Sequence, residues 1–541
     1  MKGELVGNSK PMSNNPRRLW LAAVSALALL APAVADAETL ADALALAYQS
    51  NPTLQSQRAL QRQLDETYVQ ARSSFRPTLN ASSTTSWSDG SAGGGGGPTG
   101  GGAAGGGGGG SGGRTGVTLS AQQPLFTGGR ASGAIDAAEA TVLAGREALR
   151  NVEQTVLQSV IQAYSDVIRD QQIVGIREQS LQVLINQLQE TQARFEVGLL
   201  TRTDVARGEA QVANARALLS SAQAQLQNSR AAYVTAVGQN PGELASPPPL
   251  PGLPGSVDDA FRTAEGNNPA LRRAQITEQA SRYRVAQVRA QRNPTVSLTT
   301  SLGYTGAIDP LNLNRQISVS GVITQPLFTG GAVSSQIRAA LEQNNSDRIL
   351  IEQQRRTTVQ AVAQAWNQLQ AAQANIVSNQ EQVRAATVAF EGAQEQYRVG
   401  LSTTLDVLLT QETLRTAQLA LVQSQRDLYV AQASLLNAMG RLDAQSLVDG
   451  VPLYDPAANF NKVKDAGSVP WEPLIEALDQ IIRPTSPDPG RPLPAPASPQ
   501  APPALRAGGA LPSPDAGFAT TTPTAPSQGV TVPNTPGATN R

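Results

Sequence analysis

The chain has 541 residues and a formal net charge of +0, with no cysteine and no histidine. That length exceeds one ordinary domain. Thiolate and imidazole metal sites, disulfides and Cys- or His-based catalytic dyads are excluded, and the balanced charge offers no basic stripe for nucleic acid.

At the N-terminus, Arg17 and Arg18 precede an apolar run over 19–30, and small residues come after it, ending in Ala35-Asp36-Ala37. A positive start, a short apolar stretch and an A-x-A site read as a secretory signal peptide over 1–37. The mature chain is expected to begin near Glu38, and Met12 is an alternative start. No cysteine follows the leader, so a lipid-anchored terminus is not expected. No later apolar run reaches the ~18–20 residues of a membrane helix. An exported chain of this kind is soluble or crosses a membrane as β-strands.

A duplication organises the chain beyond the leader. Asn51-Pro52-Thr53-Leu54 returns as Asn268-Pro269-Ala270-Leu271, and Arg76-Pro77-Thr78-Leu79 as Asn293-Pro294-Thr295-Val296, at 294 − 77 = 217. Gln123-Pro124-Leu125-Phe126-Thr127-Gly128-Gly129 returns identically as Gln325-Pro326-Leu327-Phe328-Thr329-Gly330-Gly331, at 326 − 124 = 202. The first repeat is 38–240, a Pro-rich connection spans 241–256, and the second repeat is 257–440. The first copy carries 217 − 202 = 15 extra residues. They fall in the nearly pure glycine tract 94–113, which cannot pack a core and is expected to form an exposed loop over 90–113. Its G-x-G-x-x-G matches are accidental.

In each copy, short segments alternate apolar and polar residues. Val117, Leu119 and Ala121 stand against Thr118, Ser120 and Gln122, and Val296 and Leu298 against Ser297 and Thr299. This predicts two-sided strands of membrane-spanning length. The remainder reads as helix with strict sevenfold stripes. Val160, Val167, Val174, Leu181, Leu188 and Phe195 have partners 202 residues on, at Val362, Leu369, Ile376, Val383, Phe390 and Tyr397. The second stripe, Val205, Val212, Leu219, Leu226 and Tyr233, is matched by Val407, Leu414, Leu421, Leu428 and Leu435. Residues 130–198 would make one helix of about 100 Å. Helices near 52–75 and 203–238, stacked end to end, would match it. The fold class is mainly α with a membrane β-barrel. Four strands per chain cannot close, and barrels start at about eight strands, so two, three or four copies must share one.

The segment 441–483 is expected to join the Pro-rich connection as a belt around the middle. From 484 to 541 the composition, rich in Pro, Ala, Gly, Ser and Thr, is that of a disordered tail.

These residues resemble the TolC family of outer-membrane channels. The likeness rests on the leader, the Glu38-Thr39-Leu40-Ala41-Asp42-Ala43-Leu44 opening, both Asn-Pro starts, both Pro-Leu-Phe-Thr-Gly-Gly exits and both Val-Gly-Leu helix tips, over about 38–450. It implies a homotrimer with a twelve-strand barrel and a twelve-helix periplasmic tunnel in the outer membrane. It also implies a periplasmic adaptor and an inner-membrane ABC or proton-driven transporter as partners, no cofactor or metal, and an exit duct for type I secretion, multidrug efflux or both, gated at the tips. The lack of a lipidated cysteine aligns the chain with the type I secretion branch.

In such a gate Asp406 matches an acidic ring position, and Leu409 stands where a second acidic ring can occur. Tyr397 and Asp204 match gate-bond positions. Ser402 occupies the place of a gate arginine, for which Arg202 or Arg398 could substitute. Val197, Gly198, Leu199, Val399, Gly400 and Leu401 are the expected adaptor-docking tips. Helix capping is the competing role for Asp204 and Asp406, and core packing for Tyr397. The rival to a duct is a structural or adhesive coiled-coil surface protein with a β anchor. An enzyme has little to build from, with lysine only at Lys2, Lys10, Lys462 and Lys464 and no Walker-type Gly-Lys-Ser/Thr.

Overall fold

The computed structural model describes residues 38–88, 112–307, 314–448 and 452–487. The leader, residues 89–111 of the glycine-rich loop and the tail beyond 487 lie outside them. The first copy of the repeat runs α1 (Leu40–Ser50), α2 (Pro52–Arg72), β1 (Thr78–Ser88), β2 (Gly112–Phe126), α3 (Arg130–Glu196) and α4 (Arg202–Val237). The second runs α5 (Val257–Asn267), α6 (Pro269–Arg289), β3 (Thr295–Ala307), β4 (Asn314–Thr324), α7 (Ala332–Arg398) and α8 (Thr404–Ala438). Three short helices complete the order: α9 (Ala444–Leu447), α10 (Pro456–Val463) and α11 (Glu472–Gln480).

The helices α3 and α7 have 67 residues each, about 100 Å at ~1.5 Å per residue. Each is flanked along its length by two shorter helices set end to end, and the joint between those two is explicit. The Asn51 carboxamide oxygen accepts from the amides of Thr53 and Leu54, capping α2, while its nitrogen donates to the Ala236 carbonyl at the end of α4, 3.0 Å away. Asn268 does the same in the second copy, capping α6 and donating to the Ala438 carbonyl at 3.0 Å. Pro52 and Pro269 come next at the first helical position, where no amide donor is needed. Gly440 turns the chain with φ 72°, and a Cβ there would come within 2.5 Å of the Asn267 carbonyl oxygen.

The sevenfold stripes face the helix pairs. Val160, Val167, Val362, Leu369, Tyr233 and Leu435 are all buried. Phe195 departs from its stripe, being 42% exposed in the last turn of α3, whereas its twin Tyr397 in the last turn of α7 is buried.

At the opposite end the strands form one antiparallel sheet in the order β1-β2-β3-β4. Leu79, Val117, Leu119, Ile317, Val319 and Ile323 are exposed on it, and β1 and β4 have free edges. Among the described residues no helix is long and apolar enough to cross a membrane.

The main core lies at the helix joints, where α1, α5 and the Pro-rich connection wrap α3, α4 and α8. Glu38 pairs with Leu244 as an isolated parallel bridge. Its carboxylate accepts from Tyr233, Gln239 and the Gly242 amide, and its carbonyl from the Tyr164 hydroxyl. Burial, reinforced by Glu38, pushes the Tyr164 hydroxyl up to about 12 and raises that of Tyr233 as well.

Of the C-terminal segment, 441–448 stays at this belt, but the chain then climbs toward the strands. Phe460 packs against Tyr68 at a tilt, with centroids 5.0 Å apart, and the fully buried Glu472 pairs with Arg72 and Arg76. At the top, the buried Asp479 carboxylate accepts from the amides of Thr127, Gly129 and Ser132 and from the hydroxyls of Thr127 and Ser132. It thereby helps satisfy the open start of α3, whose N-cap Gly129 has no side chain and where the Thr127 hydroxyl also accepts from the Ala131 amide.

Asn51→Asp separates the two jobs of the joint. Aspartate caps α2 as well as asparagine does, but it cannot donate and sets a negative charge against the carbonyl end of α4. The substitution should cost about 2 kcal/mol, read as a lower thermal midpoint; a midpoint equal to wild type would leave capping as the only role.

Candidate functional site

The end of the molecule away from the sheet is built by two helical hairpins. In each, the long helix stops at a Val-Gly-Leu turn. Gly198 and Gly400 adopt φ 74° and 79°, which lets the Leu199 amide reach back to the Arg194 carbonyl and the Leu401 amide to that of Gln396. The apolar side chains of these turns point outward. Val197, Leu199, Val399 and Leu401 are between 68% and 81% exposed.

The return helices begin with matching capping boxes. The Thr201 hydroxyl accepts from the Asp204 amide, and the Asp204 carboxylate accepts from the Thr201 amide and hydroxyl. Thr403 and Asp406 repeat this, and Ser402 adds a third donor to Asp406 at 3.2 Å. The threonine hydroxyls, then the threonine amides, hold both carboxyls below the ordinary aspartate range. Asp406 is nonetheless solvent-exposed, so the cap leaves its charge on the surface. Leu409, one turn along α8, is 57% exposed and sets an apolar side chain next to that charge.

Tyr397 is buried among Ala393, Val407 and Phe390 within the α7–α8 coil. Its hydroxyl has no hydrogen-bond partner among the described residues, and in one chain it does not meet Asp204. Instead the Arg194 guanidinium, from the other hairpin, lies 4.4 Å from its ring centroid, while Glu190 pairs with that guanidinium at 2.6 Å. Of the arginines expected to replace the missing one at Ser402, Arg398 pairs with Glu395 on its own helix. Arg202 is exposed. Arg194 therefore ties the α3–α4 coil to the α7–α8 coil at the tip. It carried no signal in the sequence, since it lies off the apolar stripe on a helix with many arginines. A second tie lies deeper, where Leu408 packs against Leu184 and Val212.

The sequence pattern of the outer membrane efflux protein family matches residues 43–239 and 260–441. The outer membrane efflux protein BepC of Brucella suis is 35% identical over 430 residues, covering 79% of this chain and 91% of that one. The alkaline protease secretion protein AprF of Pseudomonas aeruginosa is 27% identical over 340 residues, covering 61% of this chain and 70% of its own. The crystal structure of the outer membrane protein VceC from Vibrio cholerae superposes with a TM-score of 0.61 at 23% identity, over 74% of this chain and 96% of that one.

The capping boxes set the pH response of the tips. A carboxyl whose folded pKa is lowered stabilises fully above its unfolded value, about 3.9 for aspartate, and that contribution is lost as pH falls through the folded pKa. Amide exchange in the first turns of α4 and α8 should thus stay slow down to about pH 4 and quicken only below it; acceleration already near pH 6 would remove the two aspartates as the cause.

Proposed function

The chain belongs to the outer membrane efflux protein family, and on that premise we propose that three copies close one barrel and one tunnel, an exit duct gated at the tips. It is an outer-membrane transport component, not an enzyme. The observation that carries the reading is the pairing of an open apolar sheet with long coiled helices in a single chain. A sheet in lipid cannot keep free edges, so β4 must pair with β1 of another copy, and three copies give twelve strands.

The duplication supplies the register of that pairing. Inside the chain Thr118 faces Gly303. Adding 202 to the first number and subtracting 217 from the second sets Ser320 opposite Ser86 of the neighbour. By the same shift Phe126 facing Val296 becomes Phe328 facing Leu79. Phe328 is 90% exposed and Leu79 67% exposed in one chain, as residues awaiting a partner would be. Cysteines at 86 and 320, in a chain that has no others, should crosslink neighbouring copies with a short bifunctional maleimide up to the trimer; crosslinks only within monomers would refute the shared barrel.

At the tips, three Asp406 carboxylates brought together on the axis favour cations, and three Leu409 side chains beside them narrow the path by excluding water. The Arg194–Tyr397 contact holds the coils in the closed arrangement, at about 0.5–1 kcal/mol per copy. The outward Val-Gly-Leu turns fit a periplasmic adaptor, and an inner-membrane transporter supplies the energy and chooses the cargo. The roles named for the relatives, efflux for BepC and alkaline protease secretion for AprF, support small-molecule efflux and type I protein secretion as the uses of such a duct.

Single-channel conductance in planar bilayers tests this. Wild type should show a small cation-selective conductance blocked by divalent cations; Asp406→Ala should weaken the selectivity, and Arg194→Ala should raise the open fraction severalfold. A channel indifferent to Asp406 would move the constriction to the Leu409 ring, and no channel from well-folded protein would favour the structural coiled coil.

A further inference from the structure

Helix α11 is turned inside out for a helix on a water-facing surface. Its face toward the protein carries Glu472 and Asp479 beside Ile475, all buried. Arg72 and Arg76 engage the first carboxylate, and the amides at the start of α3 the second. Glu476, half-buried, flanks them. The outward face is apolar. Trp471, Leu474 and Leu478 recur at helical spacing, and Ile481 and Ile482 continue the stripe just past the helix end. All five are exposed, Leu474 and Ile481 to 74%, and no charged side chain shares that face. Polar contacts pin the helix in place, so its apolar side is left over from folding.

One hydrogen bond shows which side of the molecule the stripe lies on. The Trp471 indole donates to the Gln123 carboxamide at 3.2 Å. Alternate residues of a strand share a face, so Gln123 stands with Val117, Leu119 and Ala121 on the apolar side of β2. The ladder carries that side across the sheet, pairing Leu119 with Leu302 and Ala121 with Leu79. Trp87 lies on it at the far end of β1, 73% exposed. Helix α11 is thus beside the apolar side of the sheet, at the end where strands give way to helices.

We propose that this stripe rests in the membrane surface, making α11 an interfacial helix that contacts lipid on the periplasmic side below the barrel. The inference rests on the proposed barrel, whose apolar side faces lipid. A helix of this kind sinks its apolar face about 5–10 Å into the boundary between headgroups and acyl chains. A tryptophan whose N–H is already satisfied and whose ring is half open suits that boundary. Glu472 and Asp479 tie the helix to the ends of α2 and α3, so lipid contact there fixes the height of the tunnel against the membrane.

A second copy does not account for the stripe. In the proposed trimer neighbours meet along β1 and β4, at the sheet edges, and leave its face free. Within the chain the Gln287 backbone lies against Gly133, and the repeat offset sets Gln70 of one copy against Ser335 of the next. Gln70 is two residues from both Tyr68 and Arg72, which puts it on the opposite side of α2. Tyr68 and Arg72 are the residues that the C-terminal segment covers.

Quenching of tryptophan by brominated phosphatidylcholine tests this on the full exported chain in vesicles. With Trp87→Phe and Trp366→Phe, Trp471 is the sole tryptophan outside the leader; with Trp366→Phe and Trp471→Phe, Trp87 reports on the barrel. Trp471 should lose about as much emission as Trp87 does, and more to bromines near the headgroup end of the acyl chain than to bromines near its tail. Quenching of Trp87 with none of Trp471 would overturn the interfacial helix and leave the barrel standing, whereas quenching of neither would overturn both. Nitroxides on Leu474→Cys and Ile481→Cys, each in turn the only cysteine of the chain, repeat the test at exposed positions and leave the buried Trp366 intact. Relaxation by oxygen should exceed relaxation by a water-soluble nickel chelate. The reverse order would put the stripe in water, and protection from both would put it under a protein surface such as a neighbouring copy; either result overturns the proposal.

Discussion

The wall of this molecule depends on two asparagines. A helix of 67 residues can be matched along its whole length only if the shorter helices beside it behave as one rod, and each joint leaves four carbonyls and four amides without intrahelical partners. Asn51 and Asn268 use both ends of one carboxamide to bridge that gap, the oxygen to the helix that starts and the nitrogen to the helix that ends. Proline at the first position removes one amide from the deficit. The largest apolar core gathers around these joints, so the belt reinforces the wall where its covalent path is broken.

Duplication gives two copies the same local instructions, but their surroundings differ. The first strand exit is covered by the second repeat and by the returning C-terminal segment; the second is bare, with Leu327 and Phe328 about nine-tenths exposed where Phe126 is buried. A sequence that folds identically in both places has been given one set of partners inside the chain. The other set is left open among the described residues, and in the proposed trimer a second copy supplies partners for its apolar half. The asymmetry of a single chain is thus what the proposed assembly would resolve.

Much of this was legible in the sequence because it is periodic. The stripe from Val160 to Phe195 and its twin fix helix, length and buried face at once, and the Pro-Leu-Phe-Thr-Gly-Gly repeats mark where strand becomes helix. What escaped is aperiodic. The 456–487 segment climbs the helices instead of staying at the belt, because Glu472 and Asp479 find arginines and open amides at the far end. Two acids among proline-rich chain give no hint of that distance. Arg194 is equally hidden, since a cation–ring contact between two hairpins depends on how the coils are phased, not on spacing within either. Phe195 shows the opposite failure: the stripe continues through it, yet its side chain is 42% exposed while its twin Tyr397 is buried.

In the proposed gate, capping and gating by the tip aspartates need not compete. Asp406 must be in its capping box for α8 to start where it does, and the same hydrogen bonds keep its carboxyl ionised while leaving it on the surface. A carboxylate that was free to rotate would lose entropy on being held near an axis with two others, and one buried in a coil would be desolvated and tend to neutralise. The threonine and serine donors fix its position from one side only, so the charge is both oriented and wet. Leu409 one turn further on contributes no charge, which concentrates the electrostatic part of any constriction at a single level and leaves the next level to the exclusion of water. A passive duct needs no more chemistry than this: a rigid wall, a closed sheet, and a narrow end whose charge is fixed by the same bonds that fold it.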